Sequence, residues 1–171
     1  MRVLFLDIDG VLLPFGDGGP PTESFPGSCL AAFAFIIEQT RARIVLSSTW
    51  RCVPSAKASI LRQFNEHGGA LAGTEFADTT SLSNHSERQW EIAEWLDSAA
   101  GRGVQQWVAL DDEELLDGPA LAARRSRFVG HVVKTESHVG LTHELAQAAV
   151  SLIREHNEEL SPNRHARLFC V

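Results

Sequence analysis

Apolar positions in this chain fall into short continuous runs that alternate with longer stretches of helical spacing. Residues 3–8 (VLFLDI) are of strand length and too continuous for a strand with one face in water, so they read as a strand buried on both faces. Residues 14–27, PFGDGGPPTESFPG, are too rich in Gly and Pro for anything but loop. Residues 28–40, SCLAAFAFIIEQT, are apolar, Ala-rich and of helix length, and 43–47 (RIVLS) read as a second buried strand. A helix is expected over 54–67, stopped by Gly68 and Gly69, and a weak strand over 71–75.

From residue 86 or 87 to 100, Trp90, Ile92, Ala93 and Leu96 recur at helical spacing. Ser86 with Gln89 suggests a capping box there, and Gly101 a stop. Residues 107–110 form another apolar run that ends in acid, LDDEE, and 129–133 a last strand. The final helix, within GLTHELAQAAVSLIREHNEEL, is capped by Thr142, and 161–171 stay unassigned. Strands alternating with helices predict an α/β fold: a Rossmann-like open parallel sheet with helices on both faces. The expected organisation is one domain over 1–160, a short flap at about 14–27, and a C-terminal tail over 161–171. Ligands of such sheets bind at the carboxyl ends of the strands, where Asp7, Ser47, Asp111 and Lys134 fall.

Composition narrows the function classes. The chain has 171 residues, enough for one substantial core, and its formal charge of −7 gives it no general attraction to nucleic acid or anionic lipid. Cys29, Cys52 and Cys170 lie far apart and form neither a disulfide framework nor a metal-ligand spacing; they read as idle thiols of a reducing cytosol. No apolar run approaches a membrane span, and Asp7 and Asp9 break the N-terminal stretch where a signal peptide would stay apolar. A cytoplasmic protein without a membrane partner is expected.

The candidate chemistry lies in the acids. Asp7, Asp9, Asp111 and Asp112 gathered at one sheet edge would repel, two carboxylates at ~4 Å by about 4 kcal/mol at an effective dielectric near ~20. Gathered carboxylates therefore call for a cation, and an incompletely enclosing all-oxygen set suits Mg²⁺ shared with substrate phosphate oxygens. An EF-hand loop fails as the rival reading, because its first and last ligand positions are Phe5 and Gly16. A carboxylate beside Mg²⁺ can attack phosphorus, and a second one two residues on can manage the proton. Ser47 offers a hydroxyl to a phosphate oxygen, with Ser48 and Thr49 beside it.

LDIDGVL, residues 6–12, resembles the first motif of the haloacid dehalogenase (HAD) superfamily. VLSSTWR resembles its second, and LDD at 110–112 its acidic fourth. DIDGVL, SSTWR, an R-x-x-E-I-x-x-W-L helix, LDD and a late GLT together resemble the HAD-like domains of Swiss Army Knife RNA repair proteins, over about residues 2–149. The resemblance implies that Asp7 is nucleophile and Mg²⁺ ligand. Asp9 would be the general acid/base and give its backbone carbonyl to the metal. Ser47, with Ser48, would bind the phosphoryl group, and Asp111 with Asp112 would complete the metal site. The third motif is usually a Lys, but the only lysines, Lys57 and Lys134, do not fall there; Arg88 does, as a planar fork instead of a compact charge.

No segment is long enough for the inserted cap domain of many HAD proteins. An open site in that superfamily goes with large substrates such as protein or nucleic-acid ends. The expected function is a Mg²⁺-dependent phosphomonoester hydrolase acting through aspartyl phosphate, with small-molecule and nucleic-acid end phosphates as substrate classes. A phosphotransferase with the same intermediate, or a degenerate HAD fold used for binding, are the alternatives. A phospho-receiver domain shares the acidic strand ends but carries its phosphoacceptor on a middle strand. Arg124, Arg125 and Arg127 with His131 offer a basic flank or a merely solvated face. Trp50 is expected to pack under the flap, and Trp90 and Trp95 to be core.

Overall fold

The computed structural model describes residues 1–16, 24–82 and 87–159, side chains to 154. The middle of the expected flap, Ser86 of the expected capping box and the C-terminal tail lie outside the described residues. Five parallel strands form one sheet in the order β3-β2-β1-β4-β5: β1 Arg2–Leu6, β2 Arg43–Leu46, β3 Phe76–Thr79, β4 Gln106–Asp111 and β5 Val132–Lys134. Leu4 of β1, in the centre, aligns with Ile44 on one side and Val108 on the other.

Successive side chains of a strand point to opposite faces, which is why β1 reads as continuously apolar: both faces are covered. Leu4 and Leu6 join the core formed with helices α1 (Gly27–Thr40), α2 (Pro54–His67) and α5 (His143–Glu159). Val3 and Phe5 face α3 (Arg88–Asp97) and the short α4 (Arg125–Phe128). Phe5 meets Trp95 and Trp107 edge-on, at 5.3 and 5.7 Å between ring centroids. Each such fully buried side chain contributes roughly 1.5–3 kcal/mol of transfer free energy.

Local chemistry sets the helix ends. Pro54 opens α2 where its missing N–H is no loss, and Gly68 closes it at φ +79°, so the expected bounds 54–67 hold. Thr142 Oγ1 accepts the Leu145 N–H (3.3 Å), the predicted cap of α5.

Three boundaries differ from expectation by three residues or more. The strand expected at 71–75 begins at Phe76. Gly69–Leu71 is instead a 3-10 turn that drives Leu71 into the core, so the apolarity of Leu71 marks a plug. Helix α3 ends at Asp97, before Gly101, because the Ser98 hydroxyl bonds Trp95 O (2.6 Å) and accepts the Ala100 N–H (3.2 Å). The last strand starts at Val132, not 129: α4 occupies the approach, Val129 is exposed, and Gly130 turns the chain at φ +81°.

Candidate functional site

The carboxyl ends of β2, β1 and β4 are tied together just beyond the strands. Ser47 and Ser48 both donate their N–H to Leu6 O (2.9 and 3.3 Å), and the Asp7 N–H donates to Leu110 O (3.1 Å). The chain then turns on Ile8 O, which receives the N–H groups of Val11, Leu12 and Leu13 at 3.2, 2.9 and 2.9 Å. Gly10 is needed at the crest: its φ is +67°, and a Cβ there would stand 2.3 Å from Asp112 Oδ2. The buried Thr135 hydroxyl, just past β5, donates to Gly10 O (2.7 Å) and pins this turn across the sheet edge. Gly140 of the late GLT sequence lets the same loop settle. A Cβ there would meet Pro14 at 2.7 Å and Val11 O at 2.8 Å, and the Leu141 N–H reaches Val11 O (2.8 Å).

This framework gathers Asp7, Asp111 and Asp112, each offering a carboxylate oxygen within 4.8 Å of the others. Asp7 and Asp111 are buried and Asp112 half-buried. Arg88, at the start of α3, is buried beside them, Nη2 at 3.5 Å from Asp7 Oδ1 and Nε at 3.4 Å from Asp111 Oδ2. Glu113 stands farther out, 3.9 Å from Nη2. Burial works against the Arg88 charge, yet the Asp111 and Asp7 carboxylates hold its pKa above the usual guanidinium value. Burial, with the Asp7 charge adding to it, pushes the Asp111 carboxyl well above the ordinary range despite Arg88. One guanidinium does not balance three clustered carboxylates, and Asp111 Oδ2, Arg88 Nη1 and Ser47 Oγ are all buried without a hydrogen-bond partner. Buried polar atoms left so are uncommon and costly; here two belong to the Arg88–Asp111 pair, and the third lies at the end of β2, next to β1 in the sheet.

Asp9 takes a different position from the other acids. Its carboxylate is not in the three-acid group; Oδ2 accepts the indole N–H of Trp50 at 2.9 Å. Burial raises its carboxyl above the ordinary value, the Trp50 hydrogen bond opposing. Trp50 also packs against Phe25, at 6.1 Å between centroids, as expected of a residue beneath the loop. The Ser48 hydroxyl is spent as the cap of the 3-10 turn Thr49–Cys52, accepting the Trp50 N–H (3.4 Å). An open groove of about 460 Å³ runs beside Trp50, lined also by Thr49, Val53, Ser55, Ala56 and Ser59.

A family model described as the HAD domain in Swiss Army Knife RNA repair proteins matches residues 3–146. The chain belongs to this family. No curated protein and no solved structure matches it. The connections at 7–26 and 80–87 of this HAD domain are too short to hold a cap domain. Among the described residues no helix is long and apolar enough to cross a membrane.

One set of contacts in the HAD domain went unassigned in the sequence although its residues stand in the motifs. Arg51 of SSTWR is buried, pairs with Glu91 of α3 (2.7 Å), and donates to Ser47 O and Ser81 O. It thereby fixes the loop that carries Ser47. Gln89, expected in a capping box with Ser86, instead donates to Leu115 O (2.9 Å) and holds down the connection after β4, while Glu87 precedes α3 without a side-chain cap. The basic run is committed elsewhere. Arg124 lies over the Trp90 ring at 3.7 Å, Arg125 pairs with Asp117, and Arg127 pairs with Asp97 at the far end of α3. His131 stacks on Trp107 at 4.4 Å, toward the amino end of β4. Lys134 reaches Glu114 (2.9 Å), whose carboxyl that hydrogen bond helps push down to about 2.

Proposed function

We propose that this HAD domain is a Mg²⁺-dependent phosphomonoester hydrolase that works through an aspartyl phosphate on Asp7. The convergence of Asp7, Asp111 and Asp112 at the strand ends, beside an unpartnered Ser47 hydroxyl, carries the reading. The donor set fits the metal: all oxygen, anionic, over-charged for the single Arg88, and with Asp111 Oδ2 lacking a hydrogen bond. Asp7, Asp111 and Asp112 would hold Mg²⁺, with the Asp9 backbone carbonyl as the resemblance implies. There it would neutralise charge on the phosphoryl oxygens.

The residues of the chain carry the steps. An Asp7 carboxylate oxygen attacks phosphorus, the ester P–O bond breaks, and a proton on Asp9 passes to the leaving oxygen. Water then attacks phosphorus and gives its proton to Asp9. The bond from phosphorus to Asp7 breaks, releasing inorganic phosphate and restoring both carboxyl groups. The raised pKa of Asp9 favours holding the proton that the first step needs. The Ser47 hydroxyl and Arg88 Nη1 are donors for the phosphoryl oxygens, and Arg88 stands where the superfamily usually has Lys. The groove is lined by Trp50, whose indole N–H binds Asp9, and its volume has room for a nucleoside. The family description, an RNA repair domain, supports nucleotide and nucleic-acid end phosphates as the substrate class.

The test is phosphate release by wild type, Asp7→Asn and Asp9→Asn, with and without Mg²⁺. Substrates are an aryl phosphate, mononucleotides, and oligonucleotides phosphorylated at either end. The expected result is Mg²⁺-dependent turnover that Asp7→Asn abolishes and Asp9→Asn lowers ~10²- to 10⁴-fold on nucleotides. Turnover indifferent to Asp7→Asn, or none on any substrate, overturns the reading. Phosphate passed to an added alcohol in preference to water would make it a phosphotransferase.

A further inference from the structure

The acid/base role of Asp9 does not explain its indole partner. Asp9 is two residues from Asp7, and a carboxylate so placed would be drawn to any cation held by Asp7, Asp111 and Asp112. Its Oδ2 is instead engaged by Trp50 Nε1, across the gap between the turn after β1 and the turn after β2. Trp50 is itself held. Its N–H is taken by the Ser48 cap, its carbonyl accepts the Val53 N–H (3.2 Å), and its ring lies against Phe25.

We infer that Trp50 is a positioning residue that keeps Asp9 out of the carboxylate cluster and decides which of its oxygens handles the proton. An indole N–H donates and never accepts. Oδ2 therefore remains an acceptor whether or not Asp9 is protonated, and the transferable proton resides on Oδ1. Without the indole the carboxyl group rotates and presents either oxygen. Proton transfer depends on hydrogen-bond reach, so a rotating acid is a poorer one. The inference rests on the acid/base reading of Asp9.

Trp50→Phe keeps the ring and removes the N–H. The measurement is kcat/KM, which reports only the steps up to departure of the leaving group, on 4-nitrophenyl phosphate and on a mononucleotide. Nitrophenolate leaves without help; an alkoxide does not. The expected result is a fall of about 10- to 100-fold on the nucleotide, part of the ~10²–10⁴ a positioned acid supplies, and less than about 3-fold on the nitrophenyl ester. Asp9→Asn should show the same split, larger. A readout independent of turnover is the indole N–H resonance that Trp50→Phe deletes from the four tryptophan signals; it should move upfield in Asp9→Ala. Equal losses on both substrates, no loss on either, or an unmoved indole resonance overturns the inference. A split in Asp9→Asn without one in Trp50→Phe sinks this inference alone, whereas no split in Asp9→Asn sinks the acid role itself.

Discussion

At the amino ends of the strands, Arg127 meets both oxygens of Asp97 at 3.0 and 2.9 Å, in solvent and with its pairing complete. At the carboxyl ends, Arg88 stands buried at 3.4 and 3.5 Å from Asp111 and Asp7, with Nη1 unpartnered and a third carboxylate close by. Folding alone explains the first arrangement, since an exposed pair costs little and contributes about 0–1 kcal/mol. It does not explain the second, because incompletely paired buried charge is destabilising by several kcal/mol per ion. Such a site is consistent with groups arranged for an additional cation and anion. If the second group is functional as proposed, it differs from a structural ion pair in the balance of its charges as much as in its burial.

Arg51 and Glu91 make the comparison sharper, because they are buried like Arg88 but pair one cation with one anion at 2.7 Å, leaving only Arg51 Nε without a hydrogen bond. Glu91→Ala leaves the Arg51 guanidinium buried without its anion and should lower unfolding free energy by ~3–5 kcal/mol, read from denaturant titration. Glu91→Gln, which can still accept a hydrogen bond, should lose less. If Glu91→Ala proves neutral, balance of charge is no guide to a structural role.

Asp111→Asn tests the other side. Its buried carboxyl is pushed up, so its negative charge opposes folding at neutral pH, and an amide of the same shape removes that opposition. The Glu113 N–H keeps an acceptor at this position (3.0 Å). The melting temperature without Mg²⁺ should rise by ~2–4 °C, the equivalent of about 1 kcal/mol in a chain of this size, and the stabilisation by added Mg²⁺ should shrink. A lower melting temperature without Mg²⁺ would mean that the cluster is structural after all. Stability gained at the expense of a site is the usual sign of a functional charge.

The strand ends were legible because Asp7, Ser47 and Asp111 each close a continuous apolar run, and the parallel sheet turns such positions to one edge. Helix α2 was legible to the residue because Pro and Gly punctuate it. The supporting contacts were not. Trp50 and Asp9 are separated by 41 positions, and Arg51 and Glu91 by 40, so no local periodicity joins them. All four stand inside the motifs that carried the family resemblance, which marked them without saying what they touch. Strand β3 was misplaced for a related reason: Leu71 is apolar because it plugs the core, and an apolar residue does not announce which kind of burial it serves. The basic run at 124–127 could be read as a substrate flank or a solvated face because its partners Trp90, Asp117 and Asp97 come from other segments.

The smallest effect belongs to the pair that opened the comparison. Asp97→Asn should cost only ~0.2–1 kcal/mol, because both side chains are exposed and solvent screens them. Its sign with pH is fixed all the same. The hydrogen bond from Arg127 holds the Asp97 carboxyl below the usual aspartate value in the folded chain. A carboxyl depressed on folding stabilises fully above its unfolded pKa and loses that contribution as pH falls through the folded value. The difference in melting temperature between wild type and Asp97→Asn should therefore be constant near neutrality and close in acid below the usual aspartate range. It should also narrow in high salt, which screens exposed charges far more than the buried Arg51–Glu91 pair. A difference that persists in strong acid would assign the effect of Asp97 to packing, and completeness of pairing at this end of the sheet would then carry no energetic meaning.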